Sequence, residues 1–263
     1  MIVEVLRPRS VEEAISAGRR PGAAYLGGGT WLGSPAAQGV TTLISLEHLG
    51  LSSIEVSPTR VTIEARVTFQ QILDMPELPP AILQAVSLTA SRTLRNMVTI
   101  GGEIGLLPPD SALICALLAL DARITLAEAS EPIPIERYLH EPPRGLVLFV
   151  TLDGPSQPGA VRAVSRTSHG PRSIIVAAAA RSLRPEVLDP RIVVGDGNRA
   201  AARLIETEGR LRGAPLPPKV RIEEWVSREL HPVADAHASV EYKRYIAGVL
   251  VADTLHELAE RSS

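Results

Sequence analysis

The chain has 263 residues, 45% hydrophobic and 21% charged, which is a globular composition with length for one large domain or two smaller ones. A net charge of −2 gives no basic field for nucleic acid, and 3% aromatic residues are too few for a base-stacking platform. A single cysteine, Cys115, excludes an internal disulfide and an iron–sulfur cluster held by this chain alone. The apolar stretches fall short of the ~18 residues that a membrane span requires. Met1-Ile2-Val3-Glu4-Val5 lacks the basic region and apolar core of a signal peptide, so a cytoplasmic chain is expected.

From the N-terminus, Ile2 to Leu6 reads as a short strand, ended by Arg7-Pro8. Ser10, with Glu13 three residues on, caps a helix over Val11 to Ala17. Ala23 to Leu26 is a strand leading into the glycine run Gly27-Gly28-Gly29-Thr30. Thr42 to Leu46 and the alternating Val61 to Ala65 predict further strands. Helices begin over Phe69 to Leu73 and at Pro79-Pro80, the second running through Ala90. A second glycine turn, also leaving a strand-like segment, follows at Thr99-Ile100-Gly101-Gly102-Glu103, and then a helix from Ser111 to Leu120. Within that helix Cys115 reads as a small buried apolar residue.

Glu141-Pro142-Pro143-Arg144-Gly145 precedes a strand from Leu146 to Leu152. The Gly- and Pro-dense stretch 153–159 is the expected domain boundary. Beyond it come strand-like Val161 to Arg166, an apolar run Ile174 to Ala180, and Ile192-Val193-Val194. Helix-forming segments follow Arg199, ending in a long helix from about Ser239 to Arg261. There Tyr242, Tyr245, Ile246, Val249 and Leu250 recur at three- and four-residue spacing, which predicts a core-facing stripe.

Two glycine-rich turns can present several backbone N–H groups to one diphosphate, because glycine accepts positive φ and lets a ligand approach the backbone. Thr30 and Thr99 would add hydroxyl donors. Glycine pairs also mark ordinary tight turns. The first run starts as G-x-G but carries Leu32 where a third small residue belongs, and neither Lys219 nor Lys243 follows a glycine, so neither a Rossmann site nor a P-loop is expected. No G-x-S-x-G elbow or H-E-x-x-H motif occurs. His231, Asp235 and His237 form only a loose set of a kind common by chance, and no metal site is expected. Glu12-Glu13 and Glu223-Glu224 read as solvated helix faces, and Arg92 and Arg95 as surface or helix-end charge.

The segment Thr99 to Glu103, preceded by Arg95-Asn96 and followed by Leu117-Leu118-Ala119-Leu120-Asp121-Ala122, resembles the second FAD loop of the molybdenum hydroxylase flavoproteins. These are the FAD-binding subunits or domains of xanthine dehydrogenase and carbon monoxide dehydrogenase. Leu26-Gly27-Gly28-Gly29-Thr30 is similar to that family's first loop, A-G-G-T. Asp235 to Arg244 resembles its late signature D-x-R-x-S-x-x-Y-[RK]-R. The three motifs stand in the family's order from about residue 22 to 255, and the chain looks closest to the small flavoprotein subunits found with purine-type hydroxylases in bacteria.

The resemblance implies an α+β fold: a two-lobed, PCMH-like FAD-binding domain over 1–155, then a smaller α+β domain over 156–263 of the CO dehydrogenase flavoprotein C-terminal type. FAD would lie extended between the lobes with its diphosphate on the two loops. Carried over by position, the first loop runs from Tyr25 to Leu32. Its cofactor residues are Leu26, Gly27, Gly28, Gly29, Thr30, Trp31 and Leu32, and those of the second loop are Thr99, Ile100, Gly101, Gly102 and Glu103. Leu148 falls by the strand that packs near the ring, and Arg162 matches a basic position near the flavin.

Three departures stand out. Trp31 replaces a residue that is commonly Asp or another polar side chain. Ala112 replaces an aspartate that holds the adenosine ribose, with Asp110 two residues earlier as its substitute or as a cap for the helix at Ser111. His237 replaces an arginine. The implied role is electron relay without catalytic side chains. The implied partners are a molybdopterin-binding large subunit, a [2Fe–2S] small subunit, and NAD or another electron acceptor. Two other readings remain open: a structural subunit of this fold that has lost FAD, and a free-standing flavin oxidoreductase. Members of that second group often attach FAD through His or Cys, and neither residue lies in the two loops.

Overall fold

The structure is a computed structural model that describes residues 2–32, 37–89, 91–141, 145–154, 156–167 and 170–261. Ala90, the expected end of a helix, and Pro142, Pro143, Arg144 and Pro155 of the two proline-rich connections lie outside the described residues. In chain order the first elements are β1 (Glu4–Leu6), α1 (Val11–Gly18), β2 (Ala23–Leu26), β3 (Thr42–Ser45), β4 (Ile54–Val56) and β5 (Arg60–Glu64). Then come α2 (Phe69–Leu73), α3 (Pro80–Ser87), α4 (Arg92–Arg95), α5 (Ile100–Leu106) and α6 (Ala112–Ala119). The middle of the chain forms β6 (Arg123–Leu126), β7 (Ile133–Pro134), α7 (Ile135–His140) and β8 (Val147–Asp153). The remainder forms β9 (Gly159–Ser165), β10 (Arg172–Ala179), β11 (Arg191–Gly195), β12 (Ala202–Arg203), α8 (Ile205–Leu211), α9 (Lys219–Glu229) and α10 (Val240–Arg261).

These elements divide into two compact units. The first gathers Met1–Met75, Ser91–Leu106 and Ala122–Asp153; the second gathers Pro76–Ala90, Leu107–Asp121 and Gly154–Ser263. In the first unit, β1, β3 and β2 form a parallel three-stranded sheet, with Tyr25 opposite Ile44 and Leu26 opposite Ser45. An antiparallel five-stranded sheet runs β4-β5-β8-β6-β7, with Ile63 opposite Val150 and Ile124 opposite Val150 on the other side. Side-chain caps start α1 and α2. The Ser10 hydroxyl accepts the Glu13 N–H at 3.2 Å, and Thr68 and Gln71 form a reciprocal capping box.

The second unit is built on an antiparallel sheet ordered β12-β11-β10-β9. Ser173 through Ala180 are buried without a break, which accounts for the uninterrupted apolar run at the centre of that sheet. Helix α6 is buried along all eight residues, capped by the Ser111 hydroxyl on the Ile114 N–H at 3.2 Å. Within it the Cys115 thiol is fully buried, and that burial pushes its pKa up to about 12. Helix α10 packs beside β10 and α9 packs on α10, and Gly248 lets the two helices approach closely: a Cβ there would stand 3.1 Å from Glu223 Cα.

Two expectations are corrected. The second glycine run is not a turn leaving a strand but the first turn of α5, because the Thr99 hydroxyl and carbonyl take the N–H groups of Gly102 and Glu103 at 3.1 and 3.0 Å. In α10 the stripe of Tyr242, Tyr245, Ile246, Val249 and Leu250 forms only the margin of the core, with half-buried Ile246 and Leu250 packed against it. Tyr242 and Tyr245 are 45% and 65% exposed, and the buried line runs through Lys243, Ala247, Val251, Leu255 and Leu258. Counting apolar residues misplaces the face, because a lysine and small residues occupy the contact positions.

Candidate functional site

The first unit contains a cavity of about 440 Å³. Five residues expected at the cofactor line it: Gly27, Trp31, Thr99, Gly101 and Gly102. The fold brings them together because β2 ends at Leu26 on the parallel sheet while α5 starts beside Ala65, at the end of β5. The two glycine runs interlock. A Cβ on Gly28 would collide with the carbonyl oxygen of Met97, and one on Gly27 would stand 2.6 Å from the Thr99 hydroxyl. A Cβ on Gly101 would stand 2.6 Å from that of Ala65. Gly29 adopts φ +72°, the left-handed region that favours glycine.

The two runs differ in what they offer a ligand. In the second, Ile100 N–H donates to the Val67 carbonyl at 3.0 Å and Gly101 N–H to the Ala65 carbonyl at 2.9 Å, while Gly102 and Glu103 N–H are held by Thr99. In the first, no described residue accepts a hydrogen bond from the N–H groups of Gly27, Gly28, Gly29, Thr30 or Trp31. Thr30 is exposed. The two ends of this run of five donors, Gly27 and Trp31, line a cavity whose lining residues carry no charge.

The other expected residues of this unit stand near the cavity without lining it. Leu26 and Leu32 flank Gly29, and a Cβ there would lie 3.3 and 3.5 Å from their side chains. Ile100, the first residue of α5, is fully buried. Leu148 packs with Ile44, Leu46 and Leu146 in a small apolar cluster, and its carbonyl accepts the Ala65 N–H at 2.8 Å. Leu46, Ala65, Leu106, Leu146 and Val147 complete much of the lining. They are aliphatic, and only strand and helix placement reveals them.

Tyr25 also lines the cavity, with its hydroxyl threaded past Gly18 at the end of α1. Burial and the neighbouring Glu128 carboxylate push its pKa up to about 12, so the phenol stays neutral. Glu128 is itself held by the Leu146 N–H at 2.9 Å.

Asp110 and Arg162 lie in the second unit. Asp110 is exposed just before α6, and Ser111 rather than Asp110 caps that helix. The Asp110 charge opposes the burial that lowers the Arg172 pKa. Arg162 on β9 forms an ion pair with Glu257 on α10. Ala112 is a buried methyl at the first position of α6.

The late signature is a latch inside the second unit. The Lys243 ammonium is fully buried, donating to Asp235 Oδ2 at 2.6 Å and to the Asp196 carbonyl at 2.8 Å. Asp235 also accepts from Asn198 Nδ2 at 2.9 Å and from the His237 and Ala238 N–H groups at 2.7 and 2.9 Å. The Lys243 hydrogen bond, with help from these donors, holds the Asp235 carboxyl well below the usual carboxylate range. The Asp196 side chain gathers the Asn198, Arg199 and Val233 N–H groups. Ser239 caps the start of α10 on the Tyr242 N–H, and Arg244 Nε donates to the Leu230 carbonyl at 3.0 Å. His237 contributes only backbone to the latch, so its exchange for arginine leaves these contacts intact. Among the described residues no group of three or more His, Cys, Asp or Glu could hold a metal ion.

A family profile described as the FAD-binding domain in molybdopterin dehydrogenase matches residues 1–149. The chain belongs to this family. Its cofactor is FAD, and it is an FAD-binding subunit of the molybdenum hydroxylase type. The uncharacterised protein YgfM of Escherichia coli K12 is 34% identical to it over 257 residues, covering 96% of this chain and 95% of that one. The fold matches carbon monoxide dehydrogenase from Hydrogenophaga pseudoflava at TM-score 0.88 and 21% identity, covering 99% of this chain and 98% of that chain. It matches quinoline 2-oxidoreductase from Pseudomonas putida 86 at TM-score 0.89 and 18% identity, covering 100% and 98%. The fold is therefore the α+β fold of the CO dehydrogenase flavoproteins.

The residues at the cavity fit such a flavoprotein. A diphosphate needs several convergent donors, and the first glycine run carries five without a partner among the described residues. The uncharged, largely aliphatic lining suits the ring and sugar portions of a dinucleotide. Among the described residues no helix is long and apolar enough to cross a membrane.

Proposed function

We propose that the chain is the cytoplasmic FAD subunit of a xanthine dehydrogenase-like complex, working with a molybdopterin-binding large subunit and a [2Fe–2S] small subunit. When bound, FAD supplies the electron relay from the partner clusters to NAD or another acceptor. The protein positions it. Gly27, Gly28, Gly29, Thr30 and Trp31 hold the diphosphate through backbone N–H groups, Leu26 and Leu32 fix the ends of that turn, and Thr99 to Glu103 form the opposite wall. Leu148 steadies the strand behind the cavity. Asp110, in the FAD domain we assign at 1–155, and Arg162, in the C-terminal domain we assign at 156–263, are the charged residues of the proposed set.

One observation carries the reading: the row of unpartnered N–H groups at the first glycine run, beside a cavity walled by the second. The side chains support a division of labour with partners. The one cysteine is a buried neutral thiol, so cluster ligands must come from elsewhere.

The test is an absorbance spectrum of the purified chain before and after FAD addition and desalting. Retained flavin bands that disappear in Gly28→Val support the reading, and a wild-type chain that stays colourless defeats it. The isolated chain should also hydroxylate no heteroaromatic substrate; turnover by the single chain would overturn the assignment of that chemistry to a partner.

A further inference from the structure

Two of the eight aromatic residues in the chain, Trp31 and Tyr25, line the same cavity. Trp31 is half-buried there, and its own N–H belongs to the run of donors that have no partner among the described residues. Whatever rests on those donors, the indole starts one residue from it. A ring joined to the diphosphate through a single ribose comes within reach of that indole, whereas a ring at the end of a five-carbon ribityl chain is carried further off.

We propose that Trp31 is the specificity-determining residue for the adenosine end of the cofactor, stacking on the adenine ring. The inference rests on the FAD reading above. Stacking needs only the π-face of the base, and no charged residue in the lining competes for it. Tyr25 forms another wall of the same cavity, and its neutral phenol keeps that wall free of charge.

The experiment measures binding of ADP, FMN and FAD to the full chain by calorimetry, in wild type, Trp31→Leu and Trp31→Phe, with circular dichroism to confirm folding. Trp31→Leu should weaken ADP and FAD about ten-fold, within the range for a base stacked on an aromatic side chain, and Trp31→Phe should retain most of the affinity. FMN, which lacks adenine, should bind all three alike. Independently, ADP should quench tryptophan emission in wild type and not in Trp31→Phe, where Trp225 alone remains. Undiminished ADP binding by Trp31→Leu, equal losses for ADP and FMN, or emission that ADP leaves unchanged would each overturn the inference. If wild type retains FAD while any of these occurs, the flavoprotein reading stands and the stacking role falls. A wild type that binds neither ADP nor FAD brings down both.

Discussion

Around the first glycine run, five consecutive N–H groups have no acceptor among the described residues, whereas around Lys243 the ammonium, the Asp235 carboxylate and the Asp196 side chain are all engaged. Both regions are dense in polar groups, and both coincide with sequence signatures. The difference is what those groups face. Donors left open beside an uncharged cavity are available to a ligand, and the missing partner is the functional signal. A buried cation satisfied by a carboxylate and a carbonyl closes on itself and holds loops in place. A signature motif can therefore mark either a site or a framework, and hydrogen-bond accounting separates the two.

The largest effect should come from opening the closed region. Asp235→Ala leaves the fully buried Lys243 ammonium without its counter-charge, and breaking a buried pair on one side costs roughly 3–5 kcal/mol. Urea denaturation should show that loss, and Asp235→Ala combined with Lys243→Met should recover part of it. The same pair sets the response to acid. The folded Asp235 pKa lies below its unfolded value, about 3.9, so its stabilisation is complete above that value and is lost as pH falls through the folded pKa. Melting temperature should therefore be indifferent to Asp235 between pH 8 and about 5. It should fall in strong acid, and Asp235→Asn should blunt that fall.

Smaller effects on stability, with larger ones on flavin, are expected at the open region. Gly28→Ala drives a methyl into the Met97 carbonyl and should cost about 2 kcal/mol, in the range of overpacking, while abolishing flavin retention. A stable Gly28→Ala protein that keeps its flavin would show that the interlocked runs are not the cofactor cradle. Thr99→Val removes the hydroxyl that holds the Gly102 N–H, and the loss of that cap should cost about 1 kcal/mol by thermal denaturation.

The sequence displays the glycine runs, the Ser10 cap, the buried run of α6 and most strands directly, because each is written in local chemistry. The cavity is legible only in part. Gly27 and Trp31 announce themselves, but Leu46, Leu106, Leu146 and Val147 have ordinary core chemistry and reach the cavity only through the placement of β3, α5 and β8. The helical start at Gly101-Gly102 is hidden because two glycines read as a turn until Thr99 is seen to cap them and Ala65 to crowd Gly101. The core line of α10 is hidden for the opposite reason. Lys243 counts as polar in any periodicity, yet an ion pair makes it the largest fully buried side chain.

Arg162 gives the finest test of the comparison, because it is expected at the cofactor by resemblance and is tied to Glu257 by geometry. Both partners are more than a third exposed, at 38% and 39%, so their attraction is screened by water and contributes less than about 1 kcal/mol. Arg162→Gln should therefore leave the melting temperature nearly unchanged. If the guanidinium also serves the flavin, the same variant should lose FAD affinity, and its loss should shrink in high salt because a partly exposed charge is screened within about 8 Å at physiological ionic strength. Unchanged affinity would assign Arg162 to the β9–α10 pair alone and remove it from the cofactor's polar contacts.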